Sequence, residues 1–306
     1  MKKILLAAQK PFTADAVKEM MKIAEENGNE LTVIENYETQ KELMNAAAAA
    51  DALIVRSDKV TPEVVASATD LKIVVRAGAG YDNIDLGACT RAGIVVMNTP
   101  GQNSNAVAEL AVAMMIYMSR NQFTPAVGCE ILSKRVGIQA FGNVGRLVGA
   151  KCAALGMKVS ATDPFLADEA IKAAGATPVA NLAELYSNSD FVSVHIPANE
   201  QTRKSIGYDL VASMPRGGCL INTARKEIID EEGLLRALKE RPDLKYATDV
   251  APDNYEILRR ECGLRVFATP KKMGAQTAEA NVNAGIAAVR QICAFFATGD
   301  TRFRVN

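Results

Sequence analysis

Tryptophan is absent, and histidine occurs once, at His195. The six cysteines (Cys89, Cys129, Cys152, Cys219, Cys262, Cys293) lie far apart, with no C-x-x-C pair. A single histidine and scattered thiols exclude a His-rich metal centre, a zinc cluster and a disulfide framework, so no metal is expected; this cysteine usage suits a reducing, cytoplasmic compartment. Charge of one sign is also missing. Lys+Arg 35 against Asp+Glu 35 leaves no net charge, hence no global field to hold nucleic acid or an anionic membrane. A small anionic substrate could still meet a local cluster of arginines. No apolar run approaches the roughly 20 residues that span a bilayer. The N-terminus, Met1-Lys2-Lys3-Ile4-Leu5-Leu6, is too short for a signal peptide and reads as a first strand. What is present is an ordinary globular balance, 49% apolar and 23% charged over 306 residues. That excludes disorder, and at about 150 residues per domain it suggests two domains.

Apolar, β-type runs alternate with helical patterns. The expected strands are Lys3–Ala8, Leu31–Glu35, Ala52–Arg56, Lys72–Arg76 and Ile94–Asn98, then Arg135–Phe141, Lys158–Thr162, Phe191–His195, Cys219–Thr223, Tyr246–Asp249 and Arg265–Ala268. Thr39-Gln40-Lys41-Glu42 is a capping box, and Thr61-Pro62-Glu63 has an N-cap, a first-turn proline and an early acid. Near-continuous apolar strands separated by helices argue for parallel sheets covered on both faces. The rhythm breaks at Asn98-Thr99-Pro100-Gly101; a long apolar helix follows from about 105 to 118, then an irregular stretch to Lys134. A last helix is expected near 277–296. The fold class is α/β, with two doubly wound parallel-sheet units.

Gly137-Ile138-Gln139-Ala140-Phe141-Gly142-Asn143-Val144-Gly145 joins a strand to a helix. This is a G-x-G-x-x-G dinucleotide cradle with alanine at the first glycine. The second glycine lets backbone approach a pyrophosphate, the third lets helix pack on strand, and the helix N-terminus offers free N–H groups. Alanine at 140 is comfortable only with negative φ. Asp163 ends the next apolar strand, where an acid would bond both ribose hydroxyls of NAD and repel a 2′-phosphate.

Several longer segments resemble the D-2-hydroxyacid dehydrogenases: Val74 through Asp85 (VVRAGAGYDNID), Asn98 through Leu110 (NTPGQNSNAVAEL), Asn222-Thr223-Ala224-Arg225 followed by Ile228-Ile229-Asp230-Glu231, and Thr269-Pro270-Lys271-Lys272-Met273-Gly274-Ala275. Within that family the likeness is to short members that act on 3-phosphoglycerate and lack the C-terminal regulatory domain. The resemblance implies a Rossmann cofactor domain (100–284) inserted in a discontinuous, flavodoxin-like substrate domain (1–99 and 285–306), and a homodimer through the cofactor domain. It implies that Arg225 anchors the substrate carboxylate and carbonyl, which suits a forked guanidinium at a strand end. It further implies that Arg56, Ser57, Arg76 and the N–H groups of Ala77, Gly78 and Ala79 meet a phosphorylated 2-hydroxy or 2-oxo acid. NAD would be held by Val107, Gly142, Asn143, Val144, Asp163, His195, Pro197, Thr202, Thr223, Ala224, Asp249 and Gly274. His195 lies beside the cofactor in this reading and is not the acid/base.

The family's acid/base histidine sits in T-P-H-x-G-A. Here the segment has lysines and one extra residue. Counting back from Gly274-Ala275 selects Lys272 and counting forward from Pro270 selects Lys271; the resemblance favours Lys272 as the acid/base, because in relatives the glycine that follows contacts the nicotinamide region. The glutamate that assists the histidine is replaced by Asn254, with Asp253 and Glu256 as nearby acids. The two changes agree chemically. An acid partner raises an imidazole pKa usefully, but a lysine starts at about 10.4 and needs the opposite help. Positive neighbours such as Lys271 and Arg225 would free the amine of its proton near working pH. Two other readings remain: a glyoxylate or hydroxypyruvate reductase, and an NAD(H)-sensing binding protein without catalysis.

Overall fold

The computed structural model describes residues 1–306, which divide into two compact units: Met1–Asn103 with Gln276–Asn306, and Ser104–Ala275. The expected boundaries at 99/100 and 284/285 are therefore displaced to 103/104 and 275/276. The reason is local. The final helix starts at Thr277, whose Oγ1 accepts the Ala280 N–H, and one rigid rod is not divided between two cores.

The first unit runs β1 (Lys3–Ala8), α1 (Ala14–Glu26), β2 (Glu30–Glu35), α2 (Gln40–Ala47), β3 (Ala52–Val55), α3 (Pro62–Ser67), β4 (Ile73–Arg76), α4 (Leu86–Arg91) and β5 (Val95–Asn98). Its strands pair in parallel in the order β2-β1-β3-β4-β5. Period-two alternation splits the apolar runs between two cores. Ile4, Leu6 and Ile54 pack under α1 and the last helix. Leu5, Leu53 and Val74 pack under α2, α3 and α4. The capping box at Thr39 forms, with Glu42 bonding the Thr39 N–H, while Thr61 makes no side-chain cap bond.

The second unit runs α5 (Ser104–Ser119), β6 (Arg135–Gln139), α6 (Asn143–Ala154), β7 (Lys158–Thr162), α7 (Asp168–Ala173), β8 (Thr177–Pro178), α8 (Leu182–Ser187), β9 (Phe191–Val194), α9 (Tyr208–Ser213), β10 (Cys219–Asn222), α10 (Glu231–Glu240), β11 (Lys245–Thr248), α11 (Tyr255–Cys262) and β12 (Val266–Ala268). All neighbours are parallel, in the order β12-β11-β10-β9-β6-β7-β8. The chain leaves β6 to one side through β7 and β8, then returns to the other through β9. The switch point thus lies between β6 and β9, where sheets of this kind bind ligands outside the strand carboxyl ends. The irregular stretch after α5 carries four left-handed residues, Asn121, Gln122, Phe123 and Ser133.

The final helix, α12 (Ala278–Thr298), returns to the first unit and packs on α1. No helix is long and apolar enough to cross a membrane. Five cysteines are buried and Cys129 is exposed, all as free thiols.

Candidate active site

In the second unit, six strand ends line the carboxyl edge: Ala140 after β6, Asp163 after β7, His195 after β9, Thr223 after β10, Asp249 after β11 and Thr269 after β12. The Gly142 turn opens α6. A side chain at Gly142 would meet nothing within 4 Å, while a Cβ at Gly145 would sit 2.2 Å from the Ala140 carbonyl oxygen. The loop therefore leaves open space at the helix N-terminus, where Asn143 and Gly142 are exposed, and closes tightly behind it. Ala140 corrects the expectation of negative φ: it sits at +71°. β6 ends at Gln139 rather than Phe141, so the tight turn begins at the alanine, at a cost of about 1–2 kcal/mol for an L-residue.

Asp163 braces this turn. Its Oδ2 accepts the Phe141 N–H at 2.8 Å and its Oδ1 the Phe165 N–H at 2.9 Å. Each carboxylate oxygen keeps a lone-pair direction for a ribose hydroxyl. At the switch point, His195 N–H donates to the Gln139 carbonyl, and its Nε2 lies 2.9 Å from Ser193 Oγ. Burial pushes the imidazole down to about 3, so the ring is neutral at physiological pH and offers no charge. Pro197 and Thr202 close the next loop on themselves, Thr202 Oγ1 donating to the Pro197 carbonyl at 2.6 Å. Thr223 Oγ1 is buried without a hydrogen-bond partner, an orphan donor and acceptor at the sheet edge that a bound polar ligand would satisfy. Together with the open cradle, it shows that the site suits a dinucleotide.

Arg225 follows a turn held by a side chain that sequence reading did not single out. Asn222 is fully buried; its Nδ2 donates to the Arg225 carbonyl at 2.8 Å and its Oδ1 accepts the Ala224 N–H at 2.9 Å. Arg225 Nη1 donates to the Ala224 carbonyl at 3.0 Å. The signal was present in the N-T-A-R motif, since asparagine mimics a backbone turn.

Asp249 has no exposed surface, and its carboxylate gathers the lysine loop. Oδ1 accepts from the Met273 N–H at 2.7 Å and lies 3.0 Å from Thr269 Oγ1; Oδ2 accepts from the Gly274 N–H at 2.7 Å. A Cβ at Gly274 would come 2.9 Å from Asp249 Oδ2 and 3.3 Å from Val107, so Val107, Asp249 and Gly274 form one close-packed patch. Lys271 and Lys272 project from the loop that this carboxylate ties at both ends, and both are exposed. Lys226, next to Arg225, pairs with Asp253, and that carboxylate raises the lysine pKa. Glu231 accepts the Asp253 and Asn254 N–H groups at 2.8 and 3.0 Å. Asp253 is thus the partner of Lys226, and Glu256 lies exposed in the first turn of α11.

In the first unit, Arg56 and Arg76 follow or end β3 and β4, adjacent parallel strands. Arg76 Nε donates to the Arg56 carbonyl at 2.9 Å. Its guanidinium lies where a side chain at Gly78 would project, 1.3 Å from an ideal Cβ; Gly78 has φ +148°. The Arg56 guanidinium is half-buried over the Phe12 ring at 5.8 Å, and desolvation lowers its pKa. Ser57 is exposed beside it. One expectation is corrected here. The Ala77 N–H donates to Val55 and the Gly78 N–H to Arg76, so these two amides satisfy backbone carbonyls. Of the Ala77–Ala79 amides, only that of Ala79 is left for a ligand.

The D-isomer specific 2-hydroxyacid dehydrogenase NAD-binding domain matches residues 92–270. The chain belongs to the D-isomer specific 2-hydroxyacid dehydrogenases. It is an oxidoreductase that uses NAD. It is similar to a hydroxypyruvate reductase of Thermotoga maritima, 36% identical over 284 residues that cover 87% of this chain and 91% of the relative. It is also similar to a D-3-phosphoglycerate dehydrogenase of Methanocaldococcus jannaschii, 36% identical over 300 residues that cover 92% of this chain. The dehydrogenase spans about half the length of such relatives, 55% of that one and 48% of a Synechocystis homologue. Among solved structures, the NAD+-bound 3-phosphoglycerate dehydrogenase of Entamoeba histolytica superposes with a TM-score of 0.89. It is 46% identical, over 100% of this chain and 98% of that one.

Proposed function

We propose that this dehydrogenase oxidises 3-phospho-D-glycerate to 3-phosphohydroxypyruvate, as a cytoplasmic homodimer serving serine biosynthesis. The observation that carries the reading is the pair of arginines, Arg56 and Arg76, at the carboxyl edge of adjacent strands of the first sheet, with Arg76 Nε bonded to the Arg56 carbonyl. Two forked cations suit a doubly anionic group better than a neutral hydroxymethyl. The 46% identity to the Entamoeba histolytica enzyme over the whole chain supports the same substrate class.

In this reading the exposed N-terminus of α6 at Gly142, Asn143 and Val144 holds the pyrophosphate, Asp163 the ribose hydroxyls, and Thr223 Oγ1 gains its missing partner. Bound NAD supplies the acceptor for the hydride from C2. Arg225 holds the α-carboxylate and draws electron density from the C2 oxygen. Lys272, as the free amine, takes the C2 hydroxyl proton and returns it in the reverse direction. Asp253, beside the position where the family carries its glutamate, is paired with Lys226.

The test is initial-rate formation of reduced cofactor at 340 nm. Lys272→Ala lowers kcat by about 10²–10⁴ while Lys271→Ala leaves it near normal; the opposite result moves the role to Lys271. Equal kcat/KM for 3-phosphoglycerate and unphosphorylated glycerate would defeat the phosphate assignment. The second reading, a reductase of unphosphorylated hydroxypyruvate or glyoxylate, is favoured by the Thermotoga maritima relative, which this chain covers almost end to end. Faster reduction of hydroxypyruvate than of its phosphate would select it.

A further inference from the structure

Asp58 is 2% exposed, although it lies between Ser57 and Lys59, both at the surface. Its carboxylate joins the ends of three adjacent strands. Oδ1 accepts the Gln9 N–H just beyond β1 at 2.7 Å and the Tyr37 O–H beyond β2 at 2.6 Å; Oδ2 accepts the Arg56 N–H just beyond β3 at 3.2 Å. Its own carbonyl accepts Asn83 Nδ2 at 2.7 Å. β2, β1 and β3 are neighbours in the sheet, so one buried charge satisfies a donor from each strand end. A carboxylate withdrawn from water persists only where such donors converge.

The Arg56 peptide is the hub of this arrangement. Asp58 holds its N–H, and Arg76 Nε holds its carbonyl at 2.9 Å. Arg76 is therefore referred to the peptide that carries Arg56, and Asp58 holds the N–H of that residue. Phe12, three residues beyond Gln9, supplies the ring under the Arg56 guanidinium. The carboxylate thus reaches Arg56 by a second route, through the backbone of the segment that carries its stacking partner.

We propose that Asp58 is a positioning residue that sets the spacing of the Arg56 and Arg76 guanidiniums and thereby gives the site its selectivity for a phosphorylated substrate. This rests on the phosphate reading above. Asparagine at 58 keeps the shape but presents one NH₂ where the carboxylate accepts, so one of the strand-end donors loses its acceptor. The experiment compares 3-phosphoglycerate with glycerate in the full-length Asp58→Asn enzyme. KM for 3-phosphoglycerate rises about tenfold, while kcat, KM for NAD and kcat/KM for glycerate stay within about twofold, the split expected when ground-state anchoring alone is lost. Equal losses with both substrates, or an unchanged KM, would overturn the assignment. Should Asp58→Asn not fold, Tyr37→Phe removes a single donor from Oδ1 and must raise KM for the phosphorylated substrate selectively; no shift in it overturns the proposal. The two readings fail separately. A wild-type enzyme indifferent to the phosphate sinks the substrate assignment and this inference with it. A phosphate preference that Asp58→Asn retains sinks the inference alone.

Discussion

Ala140 holds the strained backbone of the phosphate loop. At φ +71° its Cβ crowds the following carbonyl, yet its N–H donates to the Thr162 carbonyl at 2.9 Å and its own carbonyl faces Gly145. Those neighbours over-determine the turn. Replacing Ala140 with glycine removes about 1–2 kcal/mol of strain and adds up to about 1 kcal/mol of unfolded-chain entropy. The Ala140→Gly enzyme is therefore more stable by about 0.5–1 kcal/mol, read as a higher urea midpoint at unchanged slope; a lower midpoint would show that the methyl is needed for packing. Single residues are also where sequence reading stopped. That Gly142 and Gly145 form a cradle was legible from spacing. The sign of φ at Ala140 was not, because it depends on where β6 ends. Nor were the commitments of the Ala77 and Gly78 amides, the first made across the sheet to Val55 and the second in a tight local turn to Arg76. Lys226 and Asp253 stand 27 residues apart, and only the fold brings the two together.

Among the elements, the long apolar strands were readable within one or two residues, since continuous Val, Ile and Leu runs bounded by turn residues leave few alternatives. β8 escaped because it has two residues, one of them Pro178, at the sheet edge, where a missing N–H does no harm. α12 was expected, but its attachment to the first unit along its whole length follows from a packing detail. A Cβ on Gly285 would lie 2.8 Å from Met20 Sδ and 3.0 Å from the Phe12 ring edge, so α1 and α12 approach as closely as a glycine allows. The methionine can move, whereas the ring is confined beneath Arg56. Gly285→Ala is accordingly tolerated with a loss under about 1 kcal/mol, and Gly285→Val costs about 2–3 kcal/mol through overpacking. Guanidinium unfolding of both variants checks this; equal effects would mean that helix propensity, and not the Phe12 contact, decides.

For the whole molecule, α/β architecture and two parallel sheets were legible from the alternation of runs, while the exact junctions were not. The second unit is one uninterrupted stretch with its own two cores, one on each face of its sheet. Expressed alone, residues 104–275 fold cooperatively and bind NAD, and NAD at a hundredfold excess over Kd stabilises them by about 2.7 kcal/mol. A fragment that melts without a transition, or with a midpoint indifferent to NAD, contradicts that autonomy. The first unit has the opposite property, because its sheet face at Ile4, Leu6 and Ile54 is covered by a helix that follows the entire second unit. On the ribosome, at about 5–20 residues per second, that greasy face waits roughly 10–40 s for α12 to emerge. The nascent chain therefore passes through a stage in which the inserted unit is finished and its host is still open, the interval in which a chaperone would find it.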